Sequence, residues 1–222
     1  KFKGNIKVST SGTTGKALSL IKDKASISMQ WAIWFRHRYR FGIRLNDISV
    51  NFTGKPVVPL GQNNPPFWRY NGAQRQYLIS MQHISTSNIA SIISFLNSIN
   101  PKFYSGYPSI IAEVSRLALD AGLRLSEKSK PKVIFTGAEK LLSNQYKFIN
   151  EWTNATITDQ YGLTEGNCNF SKCEFERYHE DFEFCHIEIL DGQVLGDGSV
   201  TGRLIGSSFS NSAMPLIRYD TG

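Results

Sequence analysis

Apolar positions along this chain change period several times, and each change marks an element. Ile6 to Ser9 reads as a short strand and Leu18 to Ile21 as another, with a Ser/Thr/Gly-rich loop, Ser9 to Lys16, between them. Asp23 suits the N-cap of a helix over residues 24–41, which Gly42 closes. Residues 53–76 hold seven glycines and prolines and read as one long surface loop, a kind of segment that often carries function. Ser87 then caps a helix whose Ile89, Ile92, Ile93 and Leu96 fall at helical spacing, stopped by Asn100-Pro101. Lys102 to Ser105 is a strand. Pro108 opens a helix that aligns Ile111, Val114, Leu117 and Ala118 and ends at Gly122. Val133 to Thr136 (strand), Ser143 to Trp152 (helix) and Thr156 to Asp159 (strand) continue the alternation. Such alternation predicts an α/β fold with a parallel sheet flanked by helices. After residue 165 short strands follow one another (His186 to Leu190, Gln193 to Leu195, Gly202 to Gly206), predicting a C-terminal antiparallel β region. The expected division is therefore an α/β part over 1–165 and a β-rich part over 166–222.

Composition narrows the class. The 222 residues are 41% hydrophobic and 19% charged, ordinary for a globular protein. No apolar run approaches the roughly 20 residues of a membrane-spanning helix, and no signal peptide is visible. Three cysteines, an odd number, do not form a disulfide framework, so a reducing, cytoplasmic setting is expected. The net charge is +7. Its densest cluster, Arg36-His37-Arg38-Tyr39-Arg40 with Arg44, shares a stretch with Trp31, Trp34 and Phe35, so the arginines are expected on the wet face of an amphipathic helix. Attraction of an anionic small molecule uses this charge as well as nucleic-acid binding does, and no nucleic-acid partner is expected.

Two stretches carry candidate chemistry. In Ser9-Thr10-Ser11-Gly12-Thr13-Thr14-Gly15-Lys16 the glycines permit tight turns that aim backbone N–H groups at one anion, with hydroxyls and an ammonium beside them. It is not a Walker A loop, because only two residues separate Gly12 from Gly15 and Ala17 follows Lys16. A flexible hairpin turn is the competing reading. Asp159-Gln160-Tyr161-Gly162-Leu163-Thr164-Glu165 follows a strand: a tyrosine there can lie on a purine, Thr164 can donate to phosphate and Glu165 can hold Mg2+. A capped turn around a partly buried aromatic would look the same.

Together with Ile217-Arg218-Tyr219-Asp220-Thr221-Gly222, these stretches resemble, in order, three core motifs of the adenylate-forming superfamily of acyl-CoA ligases, luciferases and peptide-synthetase adenylation domains. Three further segments resemble its phenylacetate–CoA ligase-like and CapK-like branch. They are Phe103-Tyr104-Ser105-Gly106-Tyr107-Pro108-Ser109, Phe135-Thr136-Gly137-Ala138-Glu139, and Ala213-Met214-Pro215-Leu216-Ile217-Arg218-Tyr219. The resemblance covers nearly the whole chain. It implies ATP- and Mg2+-dependent adenylation of a small carboxylic acid, with CoA as second substrate. A non-CoA acceptor in surface-polysaccharide biosynthesis, or a nucleotide-binding module without catalysis, are the alternatives.

The resemblance also implies roles. Ser11, Gly12, Thr13, Thr14, Gly15 and Lys16 would wrap the β- and γ-phosphates. Gly137, Ala138 and Glu139 would line the adenine pocket with Asp159, Gln160, Tyr161 and Gly162, Tyr161 stacking on the base and Asp159 near its amino group. Thr164 would touch the α-phosphate and Glu165 the magnesium. Tyr107, with Pro108 at a strand-to-helix junction, would wall the acyl pocket, where the helix N-terminus would also face the reacting groups. The family's next residue after Thr-Gly is a ribose-binding aspartate, followed later by a small lid domain with a catalytic lysine. Neither is in this sequence, so the 222 residues are expected to be inactive alone. A homodimer is open.

Cys168, Cys173 and His179 fall in one stretch, with Cys185 and His186 beyond. Thiolates and imidazole can make a tetrahedral zinc site, although these spacings match no common knuckle. A structural zinc in some members of the branch supports that expectation; ordinary thiols are the other reading. His37 and His83 read as structural.

Overall fold

The computed structural model describes residues 4–10 and 18–221. The chain starts with an antiparallel hairpin of β1 (Ile6–Ser9) and β2 (Ser19–Lys22), pairing Ile6 with Lys22 and Ser9 with Ser19. Helix α1 (Lys24–Arg40) follows. Asp23 caps it as expected: its carboxylate accepts the Ser26 N–H at 2.7 Å, satisfying one of the otherwise unpaired first-turn donors. Gly42, at φ 76°, ends it.

The chain divides into two units, Arg38–Gln160 and a second made of Lys1–His37 with Tyr161–Gly222. In the first, six strands lie in the order β8-β7-β6-β3-β5-β4. They are β3 (Ser49–Thr53), β4 (Trp68–Asn71), β5 (Gln76–Ser80), β6 (Phe103–Gly106), β7 (Val133–Gly137) and β8 (Thr156–Gly162). All neighbours are parallel except β4, which runs antiparallel to β5 at the edge. Helices α2 (Ile89–Ser98), α3 (Pro108–Asp120) and α4 (Ser143–Thr153) supply the connections. Val50, Phe52, Ile79, Tyr104, Ile134 and Ile157 of the strands form one core with Ile92 and Leu96 of α2, Ile111 and Val114 of α3, and Ile149 and Trp152 of α4. Each such buried side chain contributes about 1.5–3 kcal/mol of transfer free energy.

Three expectations are corrected here. The stretch 53–76 is not one loop: Phe67 is buried and Trp68–Asn71 is the edge strand, with Trp68 stacked on Phe95 at 3.9 Å. Ser87 is not the cap of α2. Asn88 holds that position without a side-chain cap bond, and the Ile89 N–H donates to the Ser85 carbonyl at 2.9 Å. Nor are the arginines of α1 uniformly on a wet face. Arg36 donates to Asp181 and Glu183, both at 2.6 Å, and the buried His37 has Nε2 2.8 Å from the Lys172 carbonyl. In the other unit, Arg38 lies over the Phe103 and Phe135 rings at 5.5 and 5.8 Å, where burial lowers its pKa to about 10 and leaves it charged at neutral pH.

In the second unit, β9 (Asn169–Lys172) and β10 (Tyr178–Glu180) form a hairpin. The long strands β11 (Cys185–Val194) and β12 (Val200–Ser208) form another, with β13 (Tyr219–Asp220) added on β12. A register shift between Leu190 and Gln193, with Asp191 at φ 53°, interrupts β11. That irregularity is why its sequence reads as two short strands instead of one. Asp181 anchors this unit: besides Arg36, its buried carboxylate accepts Asn169 Nδ2 at 2.5 Å and Ser171 Oγ at 2.8 Å, the pairing a buried charge requires.

Candidate active site

Parallel β-sheets bind ligands beyond the carboxyl ends of their strands, and the first unit gathers its candidate residues there. β6 ends at Gly106, whose φ of 146° no side-chain-bearing residue adopts comfortably; a Cβ there would overlap the Phe52 carbonyl oxygen of β3. Tyr107 follows as the N-cap of α3, and Pro108 takes the first helical position, where its missing N–H costs nothing. The Tyr107 ring packs on Gly54, where a Cβ would stand 2.7 Å from Cε2. One strand over, β7 delivers Gly137-Ala138-Glu139. Gly137 lies so close to β8 that a Cβ would be 2.9 Å from the Gln160 carbonyl oxygen, and Ala138 takes a left-handed φ of 65°. Glu139 Oε2 accepts the Ser109 N–H at 3.3 Å, so the start of α3, expected to face the reacting groups, is already engaged by a carboxylate.

Asp159 and Gln160 sit on β8 opposite Thr136 and Gly137. Thr136 Oγ1 donates to Asp159 Oδ1 at 2.6 Å and fixes its orientation. Nothing in the sequence around Thr136 signals this role; the parallel register of β7 and β8 is what makes it a partner. Gln160 Nε2 is buried and has no hydrogen-bond partner among the described residues. An orphaned buried donor costs about 1–3 kcal/mol, so a site that supplies an acceptor would relieve it.

In the second unit, Tyr161 and Gly162 complete β8; they lie on the strand, not after it. Tyr161 is 37% exposed, with its ring edge-on to Phe170 at 5.8 Å. Burial first, then the Cys168 and Glu165 charges, raise its pKa and keep the phenol neutral. Leu163 to Gly166 form a turn, its Gly166 N–H donating to the Leu163 carbonyl at 3.0 Å. Thr164 is exposed on this turn and Glu165 half-buried. Beside it lies Lys22, missed by the sequence reading: buried at the end of β2, it donates to Gln30 Oε1 at 3.3 Å, and its Nζ would be 3.4 Å from a Cβ at Gly166. Burial lowers its pKa while the Glu165 charge opposes that shift. Ser11, Gly12, Thr13, Thr14, Gly15 and Lys16 lie outside the described residues.

The zinc expectation fails on geometry. Among the described residues no group of three or more His, Cys, Asp and Glu side chains is placed to hold a metal. Cys168 and Cys173 flank the four residues of β9, and an extended strand rising about 3.3 Å per residue sets them roughly 16 Å apart. His179 is exposed on β10, opposite Ser171. All three thiols are free and buried, and burial pushes Cys168 up to about 11 and Cys185 up to about 12. The thiolate is the reactive form, so these two are expected to resist Ellman's reagent in native protein at about pH 8 and to react once it is denatured. Rapid native labelling of either would contradict their placement. Magnesium is a different case. One half-buried carboxylate beside a hydroxyl suits a hard cation that keeps waters and takes its other ligands from substrate phosphates.

No family model matches the chain. Protein CapK of Staphylococcus aureus is 29% identical over 220 residues, which are 98% of this chain and 47% of that protein. Among solved structures, 2-hydroxyisobutyryl-CoA ligase in complex with 2-HIB-AMP and CoA superposes with a TM-score of 0.67 at 17% identity, covering 98% of this chain and 51% of that one. The anthranilate CoA ligase in complex with anthranoyl-AMP gives 0.59 at 13% identity, with 92% and 39% covered. This is the fold of the adenylate-forming CoA ligases. The chain spans about half the length of the relatives it matches. Among the described residues no helix is long and apolar enough to cross a membrane.

Proposed function

We propose that the protein activates a carboxylic acid with ATP, forming an acyl-adenylate and releasing pyrophosphate, and then passes the acyl group to the thiol of CoA. The observation that carries this reading is the convergence of Tyr107, Gly137-Ala138-Glu139 and Asp159-Gln160 on one sheet edge, in a fold shared with ligases crystallised with acyl-AMP. The unpartnered Gln160 Nε2 and the Thr136-oriented Asp159 suit a base with both donors and acceptors at its edge. On this reading Tyr161 offers a ring face to adenine, Tyr107 and Pro108 bound the acyl group, and Ser11 to Lys16 hold the phosphates. Glu165 would hold Mg2+, which when bound neutralises phosphate charge.

The chemistry needs no protein nucleophile. A carboxylate oxygen attacks the α-phosphorus, the bond to the bridging oxygen breaks, and pyrophosphate departs with the electron pair. Charge spreads over phosphoryl oxygens, so the protein aligns the reactants and meets that charge with Lys16 and the Thr164 hydroxyl. A second reading, with a sugar amine or hydroxyl as acceptor in surface-polysaccharide biosynthesis, is favoured by the similarity to CapK.

The test is ATP–pyrophosphate exchange by the intact protein against aryl, fatty, amino and uronic acids, followed by acceptor assays with CoA and with sugars. Acid-dependent exchange is expected. Failure to exchange with any acid, together with no calorimetric binding of ATP, would leave the fold without this activity. Within the same assay, Tyr161→Ala is expected to weaken ATP by roughly ten-fold, since stacking on an aromatic ring is worth about 1–3 kcal/mol, while Tyr161→Phe stays near wild type. Equal losses would assign the contact to the hydroxyl.

A further inference from the structure

The amino ends of the parallel strands carry a second feature. The unit Arg38–Gln160 holds fourteen Lys and Arg against seven Asp and Glu, so it carries the whole net charge of +7. Part of that excess is lined up by the sheet. The strands start in register, Ser49 beside Gln76 and Phe103, Phe103 beside Val133, and Val133 beside Thr156. The residues just before them are therefore neighbours. The Lys132 N–H donates to the Lys102 carbonyl at 2.9 Å, Lys102 to Ile48 at 2.7 Å, and Ser49 to the Arg75 carbonyl at 3.1 Å. Adjacent strands are about 4.8 Å apart, so Lys132, Lys102 and Arg75 share one narrow edge.

The turn after α1 adds to it. Lys132 Nζ packs on Gly42, where a Cβ would be only 2.6 Å away, and exposed Arg40 and Arg44 flank that glycine. None of these five cations is ion-paired among the described residues. The one acid in the turn, Asp47, accepts the Arg44 backbone N–H at 2.7 Å. Next to Arg44, Leu45 stands 57% exposed. Like charges gathered without counter-ions weaken a fold unless something anionic meets them.

We infer that this edge, Arg40, Arg44, Leu45, Arg75, Lys102 and Lys132, is a docking surface for an anionic lipid membrane. A row of cations with an exposed leucine next to one of them, Arg44, fits a headgroup layer with apolar chains beneath it. A nucleic acid fits less well: single strands want free aromatic faces, and the exposed Tyr39 ring has the Arg44 guanidinium lying over it at 5.1 Å. The candidate active site is at the opposite ends of the same strands, about five residues or 16 Å away, so docking leaves it open.

The test is co-sedimentation of the intact protein with vesicles of phosphatidylcholine alone or with about 30% phosphatidylserine, in about 0.1 M salt. Binding is expected only to the anionic vesicles, with loss at high salt. Each cation near such a surface adds about five-fold to partitioning, so combined Arg75→Glu, Lys102→Glu and Lys132→Glu should reduce it at least 50-fold. Leu45→Ser should reduce it several-fold, and pyrophosphate exchange should be unchanged. If the triple variant does not fold, Lys102→Ala with the same salt series gives the reading through a five-fold loss. Equal sedimentation with neutral and anionic vesicles, or no sedimentation, overturns the proposal. So does a fluorescent oligonucleotide that binds through these residues while vesicles do not.

Discussion

Exchanging Glu165 for glutamine is expected to lower ATP–pyrophosphate exchange by the intact protein about 10²- to 10³-fold, the scale seen when one preorganised electrostatic partner of a developing charge is removed. Glutamine keeps the shape and one acceptor oxygen but loses the charge a hard cation prefers. The fold should survive, because the turn from Leu163 to Gly166 is held by main-chain bonds: Leu163 N–H to Cys168 O at 3.3 Å and Gly166 N–H to Leu163 O at 3.0 Å. Lys22 bears on the same result. It is buried beside this turn, and Glu165 is the charge that opposes its desolvation. With Glu165 neutral, Lys22 keeps its hydrogen bond to Gln30 and becomes harder to hold as a cation. Lys22→Met in the Glu165→Gln background should therefore recover part of any lost thermal stability without recovering exchange. The measurements are exchange rates across a magnesium series and thermal unfolding of each variant. Near-normal exchange by Glu165→Gln at limiting magnesium would remove Glu165 from the site.

Much of the fold was legible because the long elements combine an apolar period with punctuation. Pro108 opening α3, Asp23 capping α1 and Gly122 closing α3 each occupy the position their backbone chemistry favours. Short sheet elements were harder. β3 was missed although Val50 and Phe52 are buried and alternate with Asn51 and Thr53, because four or five residues hold too few periods to stand out. Trp68–Asn71 was hidden among prolines and glycines that belong to the turns around it. Side-chain pairings at the candidate site were legible only as composition. Thr136 and Asp159 are 23 residues apart, and only the parallel register of β7 and β8 brings them within 2.6 Å. The zinc reading erred the other way. Cysteines near in sequence look like a ligand set until a strand is placed between them, and extension carries Cys168 from Cys173.

The largest expected effect on stability is at Gly106, and Gly106→Ala is expected to destabilise the protein by about 3–5 kcal/mol. Two independent causes add. At φ 146° an L side chain is strained whatever surrounds it, and holding a residue in such a region costs about 1–3 kcal/mol. The new Cβ would also meet the Phe52 carbonyl oxygen, with the Phe52 carbonyl carbon and Cβ both at 3.0 Å. That oxygen belongs to the central strand β3, whose Phe52 is fully buried against Tyr104 with ring centres 5.3 Å apart, so backing away would disturb the core. For a chain of this size the loss corresponds to a fall in Tm of roughly 10 °C. The damage also reaches the candidate site. Gly106 joins β6 to Tyr107, and a shift there moves the ring now seated on Gly54. Any Gly106→Ala protein that folds at low temperature should therefore show a raised KM for its acid and little change in ATP affinity. Gly122→Ala is the control. Its φ of 68° is also left-handed, but a Cβ there meets nothing within 4 Å, so strain alone remains and about 1 kcal/mol is lost. Equal losses from the two substitutions would show that β3 gives way easily and that the tight approach of β6 to it contributes nothing to stability.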